Sequence, residues 1–313
     1  MPDKRVYYGG QAVIEGVMIR GPKTMTVACR NPEGAIVTRQ ETLGGLYSGI
    51  WRRIPFVRGV IILWETLALG MRALMWSSNV ALGEDEKEPA SAPMWGVMIV
   101  SLLIVGGIFF AGPLLLADLL HDLLGSDLLV IIIEGAIRLG IVVGYVGAIG
   151  FMPDIRRVYE YHGAEHKSIH AYEAGDALEP EQVQRHPTAH VRCGTSFLLT
   201  VVVVSIFVFA AVGNPDLWLR VVSRIVLIPV IASVAYEVIR LGGAFESNPI
   251  TKVLMWPNLA LQAITTKPPD DAQVEVAIRA LKEVLAAEER AAEAAPAAAA
   301  EAERTAAEAP PLD

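Results

Sequence analysis

The chain has 313 residues, of which 53% are hydrophobic and 19% charged, and a mean hydropathy of +0.43; this excludes disordered, collagen-like and coiled-coil classes and points to a polytopic membrane protein. Two cysteines, Cys29 and Cys193, cannot build a disulfide framework or a four-cysteine zinc site. The net charge of −8 is concentrated in residues 286–313, which hold seven acids and two bases, so the remainder is only −3 and gives no reason to expect a nucleic-acid partner.

Residues 1–55 read as a cytoplasmic segment built on a β-hairpin. Met1 to Gly10 is polar and offers no apolar core for a cleavable signal peptide. Gln11–Ile19 and Thr24–Arg30 alternate apolar and polar residues, and Ala35–Glu41 follows the turn sequence Asn31-Pro32-Glu33-Gly34. Residues 56–93 follow as an amphipathic helix and linker. In Phe56–Leu82, Arg58, Glu65, Arg72 and Asn79 recur every seven residues, which gathers them on one helical face. Such a stripe suits a helix lying at the cytoplasmic interface or packed beneath the bundle better than a full span.

Four segments are expected to be transmembrane helices: Met94–Leu120, Leu128–Met152, Ser196–Gly213 and Leu217–Leu241, within blocks 94–152 and 196–241. The short links His121–Asp127 and Asn214–Asp216 contain no Lys or Arg, whereas eleven precede Met94 and five lie in 153–195. The positive-inside rule then places both termini and the 153–195 loop in the cytoplasm of a bacterial inner membrane. Inside the spans, Glu134 is expected to pair with Arg138, Arg224 or both, because unpaired charge in lipid is costly. Residues 242–287 form a cytoplasmic C-terminal segment with a helix over Ala272–Ala287, and 288–313 is an Ala/Glu/Pro tail assigned no fold. The fold class is therefore mainly α, with four transmembrane helices, a small N-terminal β element and an interfacial amphipathic helix.

Five of the six histidines fall between His162 and His190. His162, His166 and His170 are spaced i, i+4, i+8, so each ring lies about 40° from the next on a helix, with Glu173 between the first two and Glu165 to one side. Two imidazoles one turn apart can bind one divalent ion, with a carboxylate as third ligand. The string His162-x-x-Glu165-His166 has the inverted zincin form, in which Glu165 is a general base. A second group, His186 to Ser196, reaches the same membrane face. There His190 and Cys193 can complete a coordination shell, Cys193 can alternatively act as a nucleophile, and Arg192 can hold an anionic group. The expected metal ligands are thus His162, His166, His170, Glu173 and His190, and the expected catalytic groups Glu165, Cys193 and Arg192. Imidazole and carboxylate favour zinc, with manganese and iron as alternatives.

Gly9 to Pro22 (GGQAVIEGVMIRGP), the His162–Glu173 string, Arg192-Cys193-Gly194-Thr195-Ser196-Phe197 and Gln262 to Ile278 together resemble the YqhQ-like family of bacterial membrane proteins over residues 6–285. That family has no known function and is commonly labelled a predicted metal-dependent enzyme. The resemblance implies that Gln11, Glu15, Met18 and Arg20 matter beyond a hairpin, Glu15 as an extra ligand or as an anchor for the histidine helix; glycines that merely permit tight turns are the simpler alternative. The expected function is a membrane-embedded, metal-dependent enzyme of the hydrolase type with a cytoplasmic-face His/Glu site, its partner the lipid bilayer. The alternative is a non-catalytic membrane scaffold or assembly factor whose histidine loop is a structural clip.

Overall fold

The computed structural model describes residues 8–44, 54–83, 91–190, 193–213, 215–245 and 248–308. It is mainly helical with a small N-terminal sheet. Strands β1 (Gly9–Val13), β2 (Gly16–Arg20), β3 (Thr24–Arg30) and β4 (Ile36–Thr42) form an antiparallel meander in sequence order. The expected hairpin is therefore one part of a four-stranded sheet. Val13 pairs with Gly16, so β1 and β2 are joined by the two residues Ile14-Glu15, and Glu15 takes φ 51°. That is the left-handed backbone such tight hairpins require.

The strands alternate as a sheet buried on both faces must. Val13, Met18, Met25, Val27 and Cys29 face α1 (Val57–Ala81), meeting Leu69, Ala73, Trp76 and Val80. Val17, Ile19 and Ala28 face the other way, onto α6 (Pro153–Ala174) and α12 (Asp271–Glu308). Gly16 has no room for a Cβ, which would lie 2.2 Å from the Ala28 carbonyl oxygen.

Between α1 and α6 the chain forms α2 (Ser91–Gly106), a π-helical turn Gly107–Ala111, α3 (Gly112–Leu119), the short α4 (His121–Leu124) and α5 (Asp127–Ile149). After α6 come α7 (Pro180–Val183), α8 (Thr195–Val212), α9 (Leu217–Val226), α10 (Ile228–Ala244) and α11 (Pro249–Thr265). Four helical stretches are long and apolar enough to cross a membrane: Val57–Ala81, Ile99–Leu119, Asp127–Ile149 and Thr195–Val212; α9 and α10, bent by 46°, supply a fifth if they form one span. The expected single span 217–241 is broken at this bend because Pro229 occupies the first turn of α10, where it starts a new helix rather than extending the old one.

Glu134 pairs with both arginines. Its carboxylate accepts from Arg138 Nη2 at 2.6 Å and from Arg224 Nη2 at 2.8 Å. The second positive charge is spread further: Arg138 donates through Nε to the Phe109 carbonyl of the π-turn at 3.0 Å, and Arg224 lies 4.0 Å over the Phe209 ring. This charge knot, close to the apolar core of Ile131, Val204, Phe209, Ile231 and Ala235, ties α5, α8 and α9 together.

The seven-residue stripe on α1 has protein partners on two sides. Arg58 pairs with Glu237 of α10, Glu65 with Arg20 of β2, and Arg72 with Glu41 of β4 at 2.5 Å. Gly59 lets α1 approach α10, since a Cβ would come within 2.7 Å of Ser233 Cα. The first half of α1 thus lies on the bundle and its second half covers the sheet.

The C-terminal region differs from the sequence reading in two ways. Helix α11 is additional to the expected elements; Asn248 caps it, accepting from the Ile250 N–H at 2.9 Å, and Ile250, Val253, Leu254 and Trp256 are exposed along it. Helix α12, expected over 272–287, continues to Glu308. It starts with a reciprocal capping box: Asp270 accepts from Gln273 N–H at 2.7 Å and Gln273 accepts from Asp270 N–H at 2.9 Å. Glu288, placed by sequence at the head of an unfolded tail, instead accepts from Lys23 N–H, Thr24 N–H and the Thr24 hydroxyl.

Candidate metal centre

The histidine string is helical throughout, within α6, despite Gly163. The glycine has a tertiary reason, because a Cβ there would lie 2.1 Å from the Lys267 carbonyl oxygen. The chain after α11 runs against this spot, and Lys267 N–H donates to the Tyr159 carbonyl at 2.9 Å. Lys167, on the same helix, donates to the Gln184 and His186 carbonyls at 2.7 and 2.6 Å, which folds the 184–190 segment back over the histidines.

Two groups of ligand atoms result. His162, His166 and Cys193 bring theirs within 4.8 Å of one another, and so do His170, Glu173 and His190. The expected ligand set is therefore divided, with Cys193 joining the first two histidines. The four rings form a row: His162 to His166 at 4.4 Å, His166 to His190 at 5.7 Å and His190 to His170 at 4.5 Å between centroids. His186 stacks on His170 with centroids 6.3 Å apart and pairs with Asp176 at 2.9 Å, outside both groups.

The hydrogen bonds fix which nitrogen of each ring carries a proton. A carbonyl only accepts, so the ring nitrogen beside it must be N–H. His162 Nδ1 donates to the Thr265 carbonyl at 3.0 Å, His166 Nδ1 to Thr188 at 2.5 Å and His170 Nε2 to Ala189 at 2.9 Å. In the neutral ring the remaining nitrogen of each is a lone-pair donor, the orientation that metal-ligating histidines take from such outer partners. Burial lowers the pKa of His166 and of His170, which keeps both rings neutral.

Cys193 Sγ lies 3.1 Å from His162 Nε2 and also contacts His166. Thr195 N–H, at the start of α8, points at the sulfur from 3.4 Å. Glu165 is turned toward the sheet. It is 4% exposed, takes a hydrogen bond from the Gly10 backbone, and its Oε2 has no hydrogen-bond partner. Burial pushes its carboxyl up to about 7, against the opposing pull of nearby His162 and the Gly10 bond. Glu165 belongs to neither ligand group, and Arg192 lies outside the described residues.

Glu15 anchors the histidine helix. Its carboxylate takes two hydrogen bonds from Arg157 and one from the Tyr161 hydroxyl at 3.2 Å, joining the β1–β2 turn to α6. Gln11 rests on Gly70 of α1, and Gly10 leaves the space in which the Glu165 carboxyl sits. The N-terminal motif is the floor on which α6 is mounted.

Residues 54–287 match the family described as "Protein of unknown function (DUF1385)". The chain belongs to that family. It is 36% identical over 292 residues, 89% of this chain and 92% of the relative, to "Uncharacterized protein YqhQ" of Bacillus subtilis (strain 168). No solved structure matches.

This family member also carries supporting residues that the histidine pattern did not point to. Gln262, fully buried on α11, accepts from the His190 N–H at 2.8 Å and donates to the His190 carbonyl and Ser196 Oγ, both at 2.9 Å. Thr265, one turn on, supplies the carbonyl that orients His162. Their one sequence signal is the polar string Gln262-Ala263-Ile264-Thr265-Thr266, which the family resemblance includes.

Proposed function

We propose that the chain is an inner-membrane protein with both termini and the metal centre on the cytoplasmic side, and that it is a metal-dependent hydrolase. The observation that carries this reading is the set of histidine ring protons donated to backbone carbonyls, which leaves lone pairs converging with a thiol. Two imidazoles and one thiol suit zinc best among the common divalent ions, and three protein ligands leave a coordination position open. When bound there, zinc supplies a Lewis acid that makes water a competent nucleophile near neutral pH.

The chain's own residues do the rest. His162 and His166 are held in register by the Thr265 and Thr188 carbonyls, so the donor geometry exists before an ion arrives. Glu165, buried on the sheet side of His162 with an oxygen that has no hydrogen-bond partner, would be the group to take a proton from a metal-activated water, and would have to turn from Gly10 to reach it. The bilayer surrounds the exposed apolar residues of the helices, such as Leu103, Leu128, Phe207 and Ile225, and brings the centre to the membrane surface.

A structural clip is the second reading, favoured by the origin of the donors: they come from α6 and from the segment that joins it to α8, so one ion would staple the two. Purified protein and a complementation assay separate the readings. His162→Ala should abolish metal binding in either case. Glu165→Gln should keep the metal and the fold and lose function if the centre is catalytic; full complementation by Glu165→Gln would leave the clip.

A further inference from the structure

The centre proposed above uses His162, His166 and Cys193, and leaves His170, Glu173 and His190 without a role. We infer that these three hold a second divalent ion, so that the chain carries two metal positions side by side along α6. This rests on the reading of the first position as a metal site.

The second group has the properties of the first. His170 gives its Nε2 proton to the Ala189 carbonyl at 2.9 Å, which directs its Nδ1 lone pair elsewhere. His190 is 4% exposed, and both its backbone polar groups are gripped by Gln262, so its ring has little freedom to turn away. Glu173 lies one turn beyond His170 on the same helix and approaches from the solvent side, 32% exposed, which gives an ion a way in.

One distance bears on whether the two groups can share an ion. His190 Nε2 and Glu173 Oε2 are 3.4 Å apart. A charge-assisted hydrogen bond between them would close to about 2.7–2.9 Å. Two donors on one tetrahedral ion, each about 2.0–2.1 Å from it, stand about 3.3 Å apart. The observed separation of 3.4 Å accommodates both atoms on one ion. The donor sets also differ: two nitrogens and a thiol at the first position, two nitrogens and a carboxylate at the second, the harder set admitting manganese or iron as well as zinc. The His166 and His190 rings, 5.7 Å apart, stand between the two positions.

The test is cobalt loading of the full-length protein in detergent, read by elemental analysis and by the visible spectrum, where a thiolate ligand gives its own charge-transfer band. Wild type should take up two equivalents, one of them carrying the thiolate band. Glu173→Ala should lose one equivalent and keep the band; Cys193→Ser should lose the band and keep one equivalent. Should Glu173→Ala fail to fold, Glu173→Gln, which keeps the side-chain shape, is read instead. One equivalent in wild type, all of it with the thiolate band and unchanged by the Glu173 variants, would overturn the second position and leave the first standing. No cobalt bound by wild type would overturn both.

Discussion

The side-chain amide of Gln262 satisfies the backbone N–H and the backbone carbonyl of His190 at once, across 72 residues of sequence. It does so from α11, the helix whose Thr265 carbonyl also orients His162. One helix therefore positions a donor in each of the two histidine groups. Gln262→Leu fills the same volume but leaves buried backbone groups without partners, which should cost about 2–3 kcal/mol. The thermal midpoint in detergent should fall, and metal affinity should weaken about 10–100-fold, the effect expected for losing an outer partner. An unchanged midpoint together with unchanged metal affinity would refute the role.

Gly163 sets local preference against tertiary fit. Helix propensity alone has Gly163→Ala gaining about 1 kcal/mol. The close Lys267 carbonyl reverses the sign, because the new methyl has no space unless the chain after α11 moves away. A loss of about 1–3 kcal/mol is expected, as for other overpacked sites. Chemical denaturation of the two proteins under identical conditions decides between the signs.

Glu134→Gln removes the shared carboxylate from Arg138 and Arg224, both at most 3% exposed. Breaking a buried ion pair from one side strands the partner charge, at about 3–5 kcal/mol. The variant should aggregate or unfold at markedly lower temperature in detergent. Replacing Arg224 by Met in the same chain should recover part of the loss, since one uncompensated charge is then gone. Equal stability of all three proteins would show that the knot contributes nothing.

The fourth prediction concerns the path of α1. Leu43 is buried with the sheet, and Leu69 to Val80 return to the same sheet, so the chain leaves and re-enters one face. Only residues 57–68 precede that contact, about 18 Å of helix at 1.5 Å per residue, short of a hydrocarbon core of about 30 Å. We predict on this ground that helix α1 enters the bundle beside α10 without crossing, although its length and apolarity would allow a span. A cysteine in place of Phe56 should resist an impermeant thiol reagent applied from the outside, whereas one in place of Ser126 should react with it. Outside labelling at position 56 would make α1 a full span.

The linear chain already indicated the membrane class, apolar spans over α2 to α3, α5 and α8, the Glu134 pairing and the clustering of the histidines. Each rests on a local quantity: the length of an apolar run, the cost of a lone charge in lipid, or the 3.6-residue period that puts His162, His166 and His170 on one side of a helix. Tertiary structure decided what no local quantity encodes. It divided the candidate donors into two groups, because Lys167 and Gln262 bend the 184–190 segment and bring Cys193 to one end of the row and His190 to its middle. It turned Glu15 from a possible ligand into an anchor, because its only close cation is Arg157 on the neighbouring helix among the described residues. It aimed Glu165 at β1, because Gly10 leaves a space there. The helix passes Glu288 for the same reason: composition registers its Ala and Glu residues, and the sheet supplies the Lys23 and Thr24 donors that hold the helix down. Partners distant in sequence have no period to betray them.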